Sequence, residues 1–331
     1  MITRRSLLYS GLCAAVISPP LIRSFAAAEQ FDPGRRQPPW RHEVASSQTI
    51  SAGDSKIQID FAAGDLKLSP DKIAQIVNWV TCASVAVTTY FGRFPVPAYR
   101  IMVIPSSGGG IHGGTTWGNV GGSPAFTRVS IGEDTTVDDL NGDWIMTHEM
   151  IHTALPSLPD YNHWFEEGTA VYIEPIARVQ AGQMKPDHVW IDMVKNMPQG
   201  QPHDGDQGLD RTHGWGRTYW GGAGFCLHAD VELRKATRNR HSLQTALRGV
   251  TASGRNISKD EDILPVLEVA DKATDTQILT TLYKKMSDNP VPVDFDDLWH
   301  QLGVTVVKDT VTFNSKAPLA YIREAIFAPL A

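Results

Sequence analysis

Apolar positions along this chain follow two regimes, and the change between them falls near residue 155. Before it, "HEVASSQTI" (42–50) and "SKIQIDFA" (55–62) alternate well enough to predict two short strands. "SPDKIAQIVNWVTCASVAVTTYFG" (69–92) opens on a Ser-Pro-Asp cap signal, carries apolar residues at helical spacing and stops at Gly92, which predicts a helix. "AYRIMVIP" (98–105) predicts a buried strand ended by proline, and "PAFTRVSIG" (124–132) predicts another. The stretch between them, 106–123, reads as a glycine-rich loop. Residues 136–155 and 161–182 predict two helices joined by a short Pro-bearing turn. Beyond a polar loop at 199–217, the pattern predicts a long helix from Thr218 to Arg238 and further helical runs around 242–249, 261–285 and 294–302. The expected class is α+β: an α/β lobe over 45–155 and a mainly helical lobe over 156–331.

The N-terminus does not fit either regime. It opens with the pair Arg4–Arg5, followed by Ser6 and two leucines, a moderately apolar stretch and then "FAAAEQ". That order predicts a twin-arginine-like signal peptide over 1–28, with cleavage near Ala28, and an extended Pro- and Arg-rich leader over 29–44. The expected location is therefore exported, periplasmic or secreted. Cleavage would remove Arg4, Arg5 and Arg23 but no acids, so the mature chain is the more acidic form. It would also leave Cys82 and Cys226, which either pair or remain buried thiols.

Composition narrows the partners. The chain has 331 residues, 42% hydrophobic and 20% charged, which allows a sizeable core. With 30 Lys+Arg against 36 Asp+Glu the net charge is −6, so no basic footprint for nucleic acid is present. No unbroken apolar run reaches the roughly 18–20 residues that suggest a membrane span. The glycine-rich stretch lacks the Gly-Lys-Ser/Thr ending of a phosphate loop. Asp204, Asp206 and Asp210 are loosely spaced like calcium ligands. They lack the glycine and terminal glutamate of an EF-hand, so a mobile polar loop over the cleft is the preferred reading.

The chemistry concentrates in "THEMIHTALPSLPDYNHWFEEGTAVY". His148-Glu149-Met150-Ile151-His152 is H-E-x-x-H, which on a helix sets two imidazoles one turn apart on one face. Such a pair can converge on a zinc ion, with Glu149 beside it as a general base. A third histidine ten residues after the first is ruled out, because that position is Leu158. A glutamate of the next helix is the better third ligand. Glu166 and Glu167 point about 100° apart, so only one of them can face the ion.

"WFEEGTAVY" resembles the W-x-x-E-G-x-A segment of the gluzincin metallopeptidases, which include the aminopeptidase N and glycyl aminopeptidase families. The resemblance implies a thermolysin-like zincin, a peptide or protein substrate and one zinc ion held by His148, His152 and Glu167, the glutamate before the glycine. "TYWGGAGF" is similar to the Y-x-K-G-A helix start of those families, which implies that Tyr219 donates to the oxyanion; Gly221 stands at the lysine position. Aminopeptidases of this group also carry a glutamate for the substrate's amine on a glycine-rich strand segment. The equivalent stretch here is "HGGTTWG", where Gly113, Gly114 and Thr115 are expected to line an extended peptide and no glutamate occurs. Exopeptidase action is thereby in question. The expectation is a zinc-dependent peptidase. Alternatives are an amidase acting on cell-wall or other amides with the same metal site, and a noncatalytic binding protein on a relic fold. Glu174, two turns beyond Glu167, is expected in a surface salt bridge.

Overall fold

A computed structural model describes residues 42–330, so the signal segment 1–28 and the leader up to residue 41 lie outside the described residues. The two alternating stretches form β1 (Val44–Ala52) and β2 (Ser55–Ala62), an antiparallel pair. The capped helix α1 (Pro70–Phe91) begins at Ser69, whose side chain accepts from Lys72 N, and ends on the left-handed Gly92. By length and composition α1 could cross a membrane. Its Ile76, Trp79, Val80, Ala83, Val87 and Tyr90 are nevertheless buried in the core.

Strands β3 (Ala98–Ser106), β4 (Ile111–Val120) and β5 (Ser123–Gly132) complete a five-stranded sheet in the order β1-β2-β3-β5-β4. β2, β3 and β5 run parallel, and β4 runs antiparallel to β5 along the edge. The glycine-rich segment 106–123 is therefore mostly a strand and not a loop. Its glycines lower β-propensity, but a two-residue hairpin fixes the pairing: Val120 faces Ser123 across Gly121 and Gly122, both at positive φ.

The run read as one helix over 136–155 divides in two. α2 (Val137–Gly142) carries a Thr136/Asp139 capping box and ends at the extended Asp143. Asp143 Oδ2 then accepts from Met146 N and restarts the chain as α3 (Ile145–Ile151). A 3₁₀ turn, His152–Ala154, continues it. α4 (His163–Gln180), α5 (Pro186–Asn196), α6 (Gly222–Thr237), α7 (Leu243–Ala252), α8 (Ile263–Thr274), α9 (Ile278–Met286), α10 (Phe295–Leu302) and α11 (Ala320–Ile326) follow, with a small hairpin, β6 (Val304–Val307) and β7 (Thr310–Phe313). The expected run 261–285 is broken where Asp275 takes a left-handed conformation. α5, α11 and the hairpin had no counterpart in the sequence reading. The result is a mixed α/β structure whose helices dominate after the sheet.

The contact that positions the site is the crossing of α4 and α6. A Cβ on Gly168 would lie 2.2 Å from Gly222 C, and one on Gly222 would lie 2.1 Å from Trp164 O. Both neighbours are backbone and cannot swing aside. The start of α4 is fixed as well, because the buried Asp210 carboxylate accepts from Asn162 Nδ2, Trp164 Nε1 and the Tyr283 hydroxyl at 3.0, 2.7 and 2.6 Å. Asp206 is equally committed, in a buried pair with Arg217 at 2.8 Å. The 199–217 segment is thus a pinned connection and not a mobile loop, and two of its three aspartates are bound to protein donors. Cys226 is a buried free thiol near Thr169, so Cys82 and Cys226 do not pair.

Gly222→Ala should lower the free energy of unfolding by about 1–3 kcal/mol, the usual scale of overpacking a tight interior. Urea denaturation followed by circular dichroism measures it, and an unchanged midpoint would show that the helices can separate without cost.

Candidate metal centre

α3 is short and buried on nearly every side. His148 lies within it and His152 in the turn that continues it, with ring centroids 4.9 Å apart and nearly perpendicular. α4 brings Glu167 to them. Glu167 Oε2 is 3.0 Å from His148 Nε2 and 3.8 Å from His152 Nε2. One donor atom from each of the three residues falls within 4.8 Å of the others, the one such cluster of three or more among the described residues. A tetrahedral ion with bonds of about 2.0–2.1 Å needs donors about 3.3 Å apart, which the 3.0 and 3.8 Å separations bracket. Two imidazoles and a carboxylate are a donor set suited to zinc. The residues present fit the ion.

The electrostatics agree. Burial opposes the Glu167 carboxylate, yet the His152 and His148 imidazoles and the hydrogen bond from His148 hold its pKa down at about 2. Burial likewise opposes a charge on His148, but Glu167 outweighs it and raises that pKa. His152, less favourably placed, is pulled down by burial to about 4 and stays neutral. The three donors therefore favour a cation among them. His148 Nδ1 is buried without a hydrogen-bond partner, so its ring is oriented by packing against Trp144 and His152.

Glu166 faces elsewhere. It accepts from Leu158 N at 3.1 Å and lies 3.3 Å from His163 Nδ1. His163, half exposed, also reaches Glu167 Oε1 with Nε2 at 3.3 Å, a link between the two glutamates that the sequence did not suggest. Glu174 is buried rather than at the surface, paired with Arg178 at 2.8 Å, and its charge is felt at His148.

Glu149 lies against strand β4. Thr116 Oγ1 donates to Glu149 Oε2 at 2.6 Å, and burial pushes the Glu149 carboxyl up to about 7. On the same face of β4, a Cβ at Gly114 would sit 2.6 Å from Glu149 Cγ. Of the three peptide-lining candidates, only Gly114 meets this carboxylate. Thr115 points to the opposite, exposed face, and Gly113 occupies a bulge at φ +133°. Thr116 was missed, although strand alternation over "GGTTWG" places it beside Gly114.

Tyr219 approaches from the other side. It belongs to a π-helical turn, Arg217–Gly221, that leads into α6, and such turns often occur at functional sites. Its ring lies nearly parallel to His148 at 6.5 Å and stacks on Trp215 at 5.9 Å. Burial and the Glu167 and Glu149 carboxylates raise its pKa, so the phenol keeps its proton. Arg217 anchors the turn through Asp206 and Gly200 O. Gly221, at the lysine position of the related pattern, packs closely against Gly200 O and the Arg217 side chain.

No family model and no curated protein matches this chain. Among solved structures it is similar to an aminopeptidase N family protein from Idiomarina loihiensis, with 14% identity and a TM-score of 0.57, over 82% of this chain and 53% of that one. It is also similar to an M1 zinc metallopeptidase from Deinococcus radiodurans, with 13% identity and a TM-score of 0.46, over 74% and 51% of the two chains. The first likeness gives the chain an aminopeptidase N-like fold, and the chain spans about half the length of the structures it matches.

Zinc should bind close to one per chain. Glu167→Ala should abolish tight binding and Glu166→Ala should retain it, as measured by elemental analysis after dialysis. The reverse pattern would exchange the roles assigned to the two glutamates.

Proposed function

We propose that this chain is a zinc-dependent peptidase of thermolysin-like arrangement, with His148, His152 and Glu167 as the metal ligands. The observation that carries the reading is the convergence of this triad with Glu149 on one side and the Tyr219 ring on the other. The aminopeptidase N-like fold supports it. A zinc ion held by three protein donors supplies a Lewis acid and a water that is acidic near neutral pH.

The chain's own groups carry the remaining steps. Glu149 accepts a proton from the attacking water and returns it to the leaving amine nitrogen, a role suited to a carboxyl whose burial has brought it near the working pH. Tyr219 keeps its proton and donates to the substrate carbonyl oxygen as negative charge develops there. β4, the edge strand beside α3, pairs with an extended substrate backbone.

β4 holds no aspartate or glutamate, and Thr116 and Gly114 are what it presents to Glu149. A substrate ammonium there would find no fixed counter-charge from the strand. The finer reading is therefore a preference for peptides or related amides without a free amine next to the cleaved bond. Export by the twin-arginine route belongs to the same proposal and rests on Arg4–Arg5 and the small residues before Glu29.

Glu149→Gln should keep zinc and lose peptide cleavage by about 10²-fold or more, since it removes the proton carrier. Full activity in that variant would sink the mechanism. N-blocked peptides should be cut with higher kcat/KM than their free-amine counterparts, and the opposite order would show that an amine site exists away from β4. Replacing Arg4 and Arg5 by lysines should leave uncleaved protein in the cytoplasm, whereas an unchanged N-terminus at residue 29 by Edman sequencing would remove the twin-arginine reading.

A further inference from the structure

Glu149 is held by more than its own helix. Thr116 Oγ1 lies 2.6 Å from Glu149 Oε2, 3.1 Å from the Glu149 carbonyl oxygen and 2.6 Å from Thr127 Oγ1. The Tyr99 hydroxyl in turn meets Thr127 Oγ1. Sheet register makes this row. Thr116 stands opposite Thr127 across β4 and β5, and Ile101 stands opposite Thr127 across β3 and β5. Tyr99, two residues from Ile101, shares its face. Three adjacent strands therefore place three hydroxyls in a line that starts in the core and ends on the carboxylate. Tyr99 and Thr127 are fully buried.

The direction of the line follows from proton counting. An ionised carboxylate only accepts, and each hydroxyl has one proton to give. Thr116 gives its proton to Glu149, so it must accept from Thr127, and Thr127 must accept from Tyr99. Tyr99 also lies within reach of the Thr116 hydroxyl, and burial raises its pKa well above the usual phenol range, so the phenol keeps its proton and donates into the threonine row. Among the described residues no donor reaches Glu149 Oε1. The Gly114 backbone forms the other wall of the slot, close enough that any β-carbon would strike the Glu149 side chain.

We propose that Tyr99, Thr127 and Thr116 form a one-way hydroxyl chain that positions Glu149, occupying Oε2 and leaving Oε1 as the oxygen that takes up and releases the proton. This rests on the peptidase reading above. The three are positioning residues, since none of them has to touch substrate. The chain ties the orientation of the base to the sheet, so that a group on a seven-residue helix inherits the rigidity of three paired strands. Donors in such rows polarise one another, and their effects are expected to be coupled rather than additive.

The test uses the zinc-loaded full chain. Thr116→Val, which keeps the shape and removes the hydroxyl, should lower kcat by about tenfold or more while KM and zinc content stay near wild type. Thr116→Ser should recover most of the rate. Thr127→Val and Tyr99→Phe should each lower kcat by a few-fold, and either one combined with Thr116→Val should be no worse than Thr116→Val alone. A crystal structure of Thr116→Val should show the Glu149 carboxylate rotated from its wild-type position. Wild-type kcat in Thr116→Val, or in both Thr127→Val and Tyr99→Phe, would overturn the chain, as would an unmoved Glu149 in the crystal. If the wild-type chain cleaves no peptide, the proposed activity falls, and the crystal comparison still decides whether the chain orients Glu149.

Discussion

Two helices touch at a point where neither can carry a β-carbon, and the site is arranged around that point. Gly168 and Gly222 bring the backbones of α4 and α6 together. Glu167 immediately precedes the first glycine and Tyr219 lies just ahead of the second. The depth of the crossing therefore sets how closely the carboxylate and the phenol approach each other over His148. Asp210 at the start of α4 and the Arg217–Asp206 pair under the π-helical turn hold the two helices in rotation as well as in depth. Truncating one member of a buried, hydrogen-bonded charge pair leaves the other uncompensated, which explains why such pairs hold geometry well even when their net stabilisation is small.

Within that frame two carboxylates a short distance apart are driven to opposite states. Glu167 is held by the His152 and His148 imidazoles and falls to about 2, while burial lifts Glu149 to about 7 because the His148 charge and the Thr116 hydroxyl are opposed there by Glu167 and Asp143. Burial acts on both in the same direction, so the difference comes from the neighbours. A carboxylate that stays ionised suits a permanent ligand, and one that titrates near neutrality suits a proton carrier. The surroundings thus separate the two carboxylates in the sense that the proposed roles require.

Much of this was legible beforehand. H-E-x-x-H predicted the paired imidazoles, and the resemblance of "WFEEG" to a known segment selected Glu167 over Glu166; the structure turns Glu166 toward Leu158 and His163 instead. The strand and helix periodicity located β1, β2, α1, β3, β5, α4 and the body of α6. The failures have physical causes. β4 looks like a loop in sequence because its stability comes from pairing with β5 and from a Gly-Gly turn, neither of which appears in apolar periodicity. The 199–217 segment looks like a mobile polar loop because its charge is local in sequence, while the partners of Asp206 and Asp210, namely Arg217, Trp164 and Tyr283, are not legible from it. Thr116 carries no local signal of its own, because its contact with Glu149 depends on which face of β4 packs toward α3.

β4 shows how one strand can serve two needs at once. An exposed edge strand is ordinarily a liability, since its unpaired backbone groups invite another chain. Here the edge is rich in glycine, offset by a bulge between Ile111 and Gly113, and packs beside α3, which carries His148 and Glu149. The face carrying Gly114 and Thr116 is closed against Glu149, while the far end of the strand packs against Ile257 and Ser258. Under the proposed function the edge and this face use perpendicular directions of the same backbone, so a substrate at the edge would leave Glu149 undisturbed. A side chain at position 114 would break this separation, because it would strike Glu149 from the strand that is meant to hold it. The glycine there is required by that close approach and not by backbone strain, since its φ is not in the positive range.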